Sequence, residues 1–292
     1  MGCKAGASGC HSIWGSGGRF RGCAVAARGD GGDRSAQPPQ SHRLRANHPA
    51  ASGIASQDAI AAGRREPGRQ SAVNDASLIG AYYARPAILA LAGDVAGRRI
   101  LDAGCGSGPL SGALRDRGAI VTGFDSSTAM LELARRRLGD GADLQLADLG
   151  SPLPFGGGAF DDVVACLVLH YLEDWTGPLA ELRRVLRPGG RLIVAVDHPF
   201  VTVLSNFEAG REAGYFGVSK RTEEWTIGDQ TALMSFWHRP MHAMSEAFTA
   251  AGFRISVISE PEPDPAAREL FPDDIAAKPR FLCFLFFVLH AD

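Results

Sequence analysis

Residues Arg99 to Leu110 limit what this chain can fold into more than any other stretch. An apolar run reaches Asp102, passes through Gly104, Gly106 and Gly108, and gives way at Leu110 to a segment of helical character. A strand, a tight turn and a helix start, in that order, is the setting in which a glycine-rich loop carries meaning. Gly104 and Gly106 allow positive φ and leave no Cβ between the loop and a ligand. The helix that follows aims its free N–H groups at whatever lies against the loop. The spacing is not G-x-G-x-x-G, and no Gly-Lys-Ser/Thr follows, which excludes a P-loop.

The alternation continues downstream. Ala119–Asp125 reads as a second strand that ends in a carboxylate, at the distance from the loop expected of a ribose-binding acid. Residues 126–138 open with a capping serine and continue as an amphipathic helix. Ala142–Leu149 alternates as a short strand and closes on Asp148. The continuous apolar centre of Ala159–Leu172 suits a strand buried on both faces of a parallel sheet, with Cys166 to Tyr171 opening at the point where strand order reverses. Pro178–Leu186 is a helix closed by Arg187-Pro-Gly-Gly190, and Leu192–Val196 is a fifth strand. Met241–Gly252 is a further helix, and Phe253–Glu260 and Arg280–His290 supply two more strands. Seven strands alternating with helices predict an α/β fold, a doubly wound and mostly parallel sheet.

The Leu-Asp-Ala-Gly-Cys-Gly-Ser-Gly loop, the acid at Asp125 and the Leu-Arg-Pro-Gly-Gly-Arg-Leu link together resemble class I S-adenosylmethionine-dependent methyltransferases of the small-molecule type, from about Ala81 to the C-terminus. The resemblance implies a Rossmann-like sheet whose last strand runs antiparallel between the fifth and the sixth. It implies S-adenosylmethionine as cofactor, held by Asp102, Gly104, Cys105, Gly106, Gly108, Asp125, Ser126 and Met130. Asp148 and Leu149 match the positions that meet the adenine. Cys166 is expected against the cofactor as well and Tyr82 at its methionine end, with Tyr83, Tyr171 and Phe200 in the acceptor pocket. Where methyltransferases of DNA and glutamine carry Asn/Asp-Pro-Pro-Tyr/Phe, this chain reads Cys166-Leu-Val-Leu169, which argues against base or amide methylation.

The formal net charge of −2 hides an asymmetry. Residues 1–70 carry 10 Lys/Arg against 4 Asp/Glu, which leaves 20 against 28 for the rest. That acidic body argues against nucleic acid as a partner. Residues 1–72 hold 13 of the 36 glycines and keep no apolar period for more than a few positions. They read as a disordered leader with no secretory apolar segment, an upstream extension from a misassigned start, followed by a catalytic domain over 73–292. The six cysteines show no C-x-x-C or Cys/His spacing, so no metal site is expected and buried reduced thiols in a cytoplasmic protein are. Nothing in the chain reads as a membrane span, and the sequence does not fix an oligomeric state.

A long aromatic insertion at about 198–239 includes Phe207, Tyr215, Phe216, Trp225, Phe236 and Trp237, and reads as a loop-like lid over an apolar pocket. If the acceptor is a hydroxyl or a ring carbon, a base removes its proton, and His170 and His198 are the candidates. A free amine would need none. Two other functions compete: a nicotinamide-dependent oxidoreductase, disfavoured by the loop spacing, and a non-catalytic S-adenosylmethionine-binding relative.

Overall fold

Apolar residues on consecutive positions, rather than alternate ones, decide the architecture, because a strand with that pattern has two faces to cover. The structure is a computed structural model and describes residues 77–208, 214–227, 230–277 and 282–292. The expected leader, residues 1–72, lies outside the described residues, as does the side chain of Trp225.

A π-helical turn at Gly80–Ala84 runs into α1 (Arg85–Ala92), with Pro86 in its first turn, where the missing N–H costs nothing. The parallel part of the fold follows as β1 (Arg99–Ala103), α2 (Pro109–Arg115), β2 (Ile120–Asp125), α3 (Thr128–Leu138), β3 (Asp143–Leu146), β4 (Phe160–Cys166), α4 (Thr176–Val185) and β5 (Leu186–Asp197). After it come α5 (Pro199–Glu208), the hairpin β6 (Ser219–Ile227) and β7 (Gln230–His238), and α6 (Met241–Ala250). The described chain closes with β8 (Phe253–Ser259), α7 (Ala267–Leu270), α8 (Pro272–Ala277) and β9 (Phe284–Ala291).

Seven strands form one sheet in the order β3-β2-β1-β4-β5-β9-β8. β9 is antiparallel to both of its neighbours, as the resemblance implied. Among the described residues, β6 and β7 pair only with each other. Alternate residues of each central strand serve opposite layers. Leu101, Val163, Leu192 and Val194 pack with Leu179 and Leu182 of α4 and Phe248 of α6. Ile100, Val164, Ile193 and Ala195 pack with Ile88 of α1 and Leu110 and Leu114 of α2. All of these side chains are buried.

Two differences from the sequence reading bear on the site. The Arg187-Pro-Gly-Gly190 link is not a separate turn: Leu186 already pairs with Phe160, and the register slips once before Arg191 meets Asp162, so β5 runs unbroken through a bulge. The insertion is not loop-like either. Its apolar residues form a helix, α5, and then the two-stranded β6–β7 hairpin, because alternating Met234, Phe236 and His238 bury one face of β7 against the domain.

Candidate active site

The end of β1 sets the geometry. Gly104, Gly106 and Gly108 all have positive φ, at 70°, 55° and 82°. At Gly104 a Cβ would stand 2.7 Å from Val168 Cγ2, so the loop and the segment after β4 pack closer than any side chain permits. At Gly106 a Cβ would meet nothing within 4 Å, so the outer side of the loop is open. This is an open cradle flanked by backbone, the shape a bound nucleoside requires.

Two carboxylates flank the cradle. Asp125, at the end of β2, is 1% exposed and accepts Gly106 N–H and Ser127 N–H, each at 2.9 Å. Asp102, at the end of β1, is 2% exposed, and the Ser111 hydroxyl donates to its Oδ2 at 2.6 Å. Burial pushes the Asp102 carboxyl up to about 6, the Ser111 bond holds it back only in part, and Asp125 adds to the rise. A buried carboxyl whose ionised form lacks a charge partner, beside an open cradle, favours a cationic ligand. Burial also raises the thiols, Cys105 well above its ordinary range and Cys166 to about 12, so both are neutral.

The crevice lies where strand order reverses, between the C-terminal ends of β1 and β4. Beyond β4 the chain passes through Leu167, a non-glycine residue at φ 58°, whose N–H is held by Ala195 O at 2.9 Å. Left-handed backbone at a non-glycine residue costs on the order of 1 kcal/mol and tends to occur at functional sites. A 3₁₀ turn at Leu169–Tyr171 follows, fixed by the buried Trp175 Nε1–H donating to Leu169 O at 2.9 Å. The turn delivers His170, 6% exposed, edge-on to Tyr171 and Phe236. Its Nδ1 lies 3.4 Å from Asp197 Oδ1 at the end of β5. The other Asp197 oxygen, Oδ2, is bonded by Arg221 of β6. Burial pushes Asp197 up, but His170 and Arg221 together outweigh it and hold the carboxyl down to about 2.

The expected site residues do not all converge. Asp102, Gly104, Cys105, Gly106, Gly108 and Asp125 meet at the cradle, with Ser126 and Met130 half-buried on the first turn beyond it. Asp148 is half-buried and spends Oδ1 on Gly150 N–H at 2.7 Å, a local turn. Leu149 has its side chain in the core. Tyr171 is half-buried between His170 and Phe236.

Three residues are corrected. Tyr83, expected in the acceptor pocket, is 1% exposed and stacked on Phe284, with its hydroxyl oxygen facing the N–H groups of Cys283 and Phe284, because the helical turn presses that ring onto β9. His198, expected as a base, is 5% exposed just after β5, and its Nε2 lies 2.6 Å from Glu260 Oε1 just beyond β8. Phe200, expected in the acceptor pocket, is 59% exposed on the surface of α5.

Sequence reasoning passed over Asp197, Arg221 and the segment 261–277. Asp197 carries the same signal as Asp102 and Asp125, an acid at the C-terminal end of a parallel strand. Arg221 had none, because only the hairpin brings it to β5. Beyond β8, Phe271 packs edge-on to Tyr82 and Asp264 N–H donates to Tyr82 O at 2.6 Å, a cover for the helical turn that no motif announced.

An α/β sheet with an open glycine cradle, a buried acid on each of the first two strands and a histidine past the fourth defines a nucleoside-cofactor enzyme. Comparison with known proteins gives the family. A methyltransferase-domain model matches residues 101–194. The chain is 31% identical over 165 residues to a demethylmenaquinone methyltransferase of Tropheryma whipplei (strain Twist), covering 51% of this chain and 69% of that protein. It is 40% identical over 97 residues to a malonyl-[acyl-carrier protein] O-methyltransferase of Serratia marcescens, 33% of this chain and 37% of that one. A solved S-adenosylmethionine-dependent methyltransferase from Mesorhizobium loti shares the fold at 24% identity and a TM-score of 0.57, over 74% of this chain and 99% of its own. The chain belongs to the class I S-adenosylmethionine-dependent methyltransferases, and S-adenosylmethionine is its cofactor. The nicotinamide alternative falls with that assignment.

Among the described residues, no helix is long and apolar enough to cross a membrane. No group of three or more His, Cys, Asp or Glu among them could hold a metal, and Cys105 and Cys166 are free thiols.

Proposed function

We propose that this enzyme methylates a hydroxyl or ring carbon of a small organic acceptor seated past the end of β4, and that His170 removes the acceptor's proton. The observation that carries the reading is the placement of His170, held by a fixed 3₁₀ turn at the crevice with its Nδ1 beside an ionised carboxylate. Bound S-adenosylmethionine supplies an electrophilic sulfonium methyl. Asp125 would accept the ribose hydroxyls, the Gly104–Gly108 loop would lie against the nucleoside, and Asp102 would face the cationic end of the cofactor. Asp148 and the N–H of Leu149 would meet the adenine. The protein's remaining work is to align the nucleophile with the methyl and to exclude water. Tyr171, Phe236 and the hairpin that carries Phe236 are the apolar cover for that step.

Of the relatives, one is named for demethylmenaquinone and the other for an acyl-carrier-bound malonyl group, so the atom methylated is left to experiment. The acidic balance of residues 71–292 speaks against nucleic acid as substrate, and the free thiols support a cytoplasmic site of action. We also take residues 73–292 as the methyltransferase domain, so a chain starting at Val73 should melt and bind cofactor like the full one.

The test is transfer of a labelled methyl group to a panel of phenolic, enolic and amine acceptors by the wild type and His170→Gln. General-base assistance is worth about 10²–10⁴-fold. The variant should lose at least 10²-fold in kcat and keep S-adenosylhomocysteine affinity within twofold. Undiminished turnover, or a preference for amines, would contradict the reading.

A further inference from the structure

A carboxylate that divides its two oxygens between a histidine and an arginine from different elements controls more than charge. We propose that Asp197 is a positioning residue for the methyl-transfer reaction: it holds His170 in the tautomer that leaves Nε2 as the free base, while Arg221 of the β6–β7 hairpin fixes the carboxylate in place. The proposal rests on the reading of His170 as base.

His170 Nδ1 is buried and has no hydrogen-bond partner among the described residues, yet Asp197 Oδ1 is only 3.4 Å away. A buried ring nitrogen beside an ionised carboxylate carries the proton, because a lone pair there would face a negative oxygen. Hydrogen bonds of this kind are often long without ligand and tighten in the reactive complex. With the proton on Nδ1, the neutral ring offers Nε2 as its only acceptor. Asp197 Oδ2 is bonded by Arg221, whose guanidinium also lies 4.7 Å from the centroid of Phe236, and that same Phe236 ring packs on His170. The carboxylate therefore cannot rotate away from His170 without breaking the contact that docks the hairpin. The other titratable or charged described groups around His170 are Tyr171, whose hydroxyl burial keeps protonated, and His238 and Arg239, which line the same small cavity as His170 and Asp197.

Arg221 makes the isosteric substitution informative. In Asp197→Asn the amide must present its oxygen to Arg221, which can only donate, so its NH₂ group faces His170 Nδ1. That amide donates where an acceptor stood, and the ring is driven to the opposite tautomer, with the proton on Nε2 and no base toward the acceptor.

The experiment pairs a spectrum with kinetics. ¹⁵N imidazole spectra of the full chain above pH 7.5, with the His170 signals assigned by their loss in His170→Gln, should show Nδ1 protonated in the wild type and Nε2 protonated in Asp197→Asn. In the same variant kcat should fall at least 10²-fold, with KM and S-adenosylhomocysteine affinity within threefold, and Asp197→Glu should recover at least tenfold of the loss. A wild type protonated at Nε2, or an unchanged tautomer in Asp197→Asn, overturns the positioning role and leaves the base assignment to His170→Gln alone. A switched tautomer with undiminished kcat overturns the proposal as well, and the base reading with it. Should Asp197→Asn fail to fold, the wild-type tautomer and the Asp197→Glu kinetics decide.

Discussion

The two ends of the central sheet hold buried aspartates under opposite conditions. At the N-terminal end, Asp162 of β4 is fully buried and accepts two paired contacts, from Arg98 at 2.5 and 2.8 Å and from Arg191 at 2.8 and 2.8 Å. Burial pushes that carboxyl up, but the two guanidinium groups win and hold it below the ordinary range. At the C-terminal end, Asp102 of β1 is just as buried, has one hydroxyl donor, and is pushed up to about 6. Residue type, sheet and burial are the same; the supply of donors differs, and the Asp125 carboxylate near Asp102 adds to the rise there. A chain that equips one end with four N–H contacts and leaves the other short has reserved the second for a ligand.

The largest effect should come from breaking the closed end. Asp162→Ala leaves two arginines facing each other, and breaking a buried ion pair costs about 3–5 kcal/mol, reduced here to about 2–4 because both guanidinium groups are partly exposed. Urea unfolding should show that loss, with cofactor affinity per folded molecule unchanged.

The open end should respond with the opposite sign. The folded Asp102 carboxyl is raised above its unfolded value of 3.8, so its contribution is favourable below that value and is lost as pH rises through about 6. Without ligand, Asp102→Asn should therefore be more stable than the wild type at pH 8, by about 3 kcal/mol, and equal to or less stable than it at pH 4. A variant less stable at both would show that Asp102 is structural.

Asp125→Ala should have a smaller effect on stability and a specific one on binding. A charged hydrogen bond contributes about 1.5–3 kcal/mol, so S-adenosylhomocysteine should weaken at least tenfold by calorimetry. Unchanged affinity in a folded variant would remove Asp125 from the ribose site.

How much of this was legible follows from where the information resides. The glycine loop, Asp102 and Asp125 could be read because strand, turn and acid are contiguous, and local backbone rules govern them. The doubly wound sheet was legible for the same reason, since runs such as Phe160–Cys166 have no polar face. His198 could not be resolved: whether a side chain after a strand faces the crevice or Glu260 depends on the pleat, and a one-residue uncertainty in register reverses it. The insertion was read as a loop because its aromatics outnumber any clear period, and pairing between β6 and β7 is not local. The Asp197–Arg221 contact spans 24 residues and two elements, and nothing in either segment alone marks it.

The central claim is that the open end of the sheet is short of positive charge until S-adenosylmethionine arrives. Calorimetric titration of the wild type and Asp102→Asn with S-adenosylmethionine from pH 5 to pH 8 tests it most directly. A ligand that needs Asp102 ionised should bind about tenfold more tightly at pH 7.5 than at pH 5, with the dependence levelling off above about 6. Asp102→Asn should bind more weakly and with little dependence on pH. Wild-type affinity that stays flat across the range, or a pH dependence that survives undiminished in Asp102→Asn, would contradict the account.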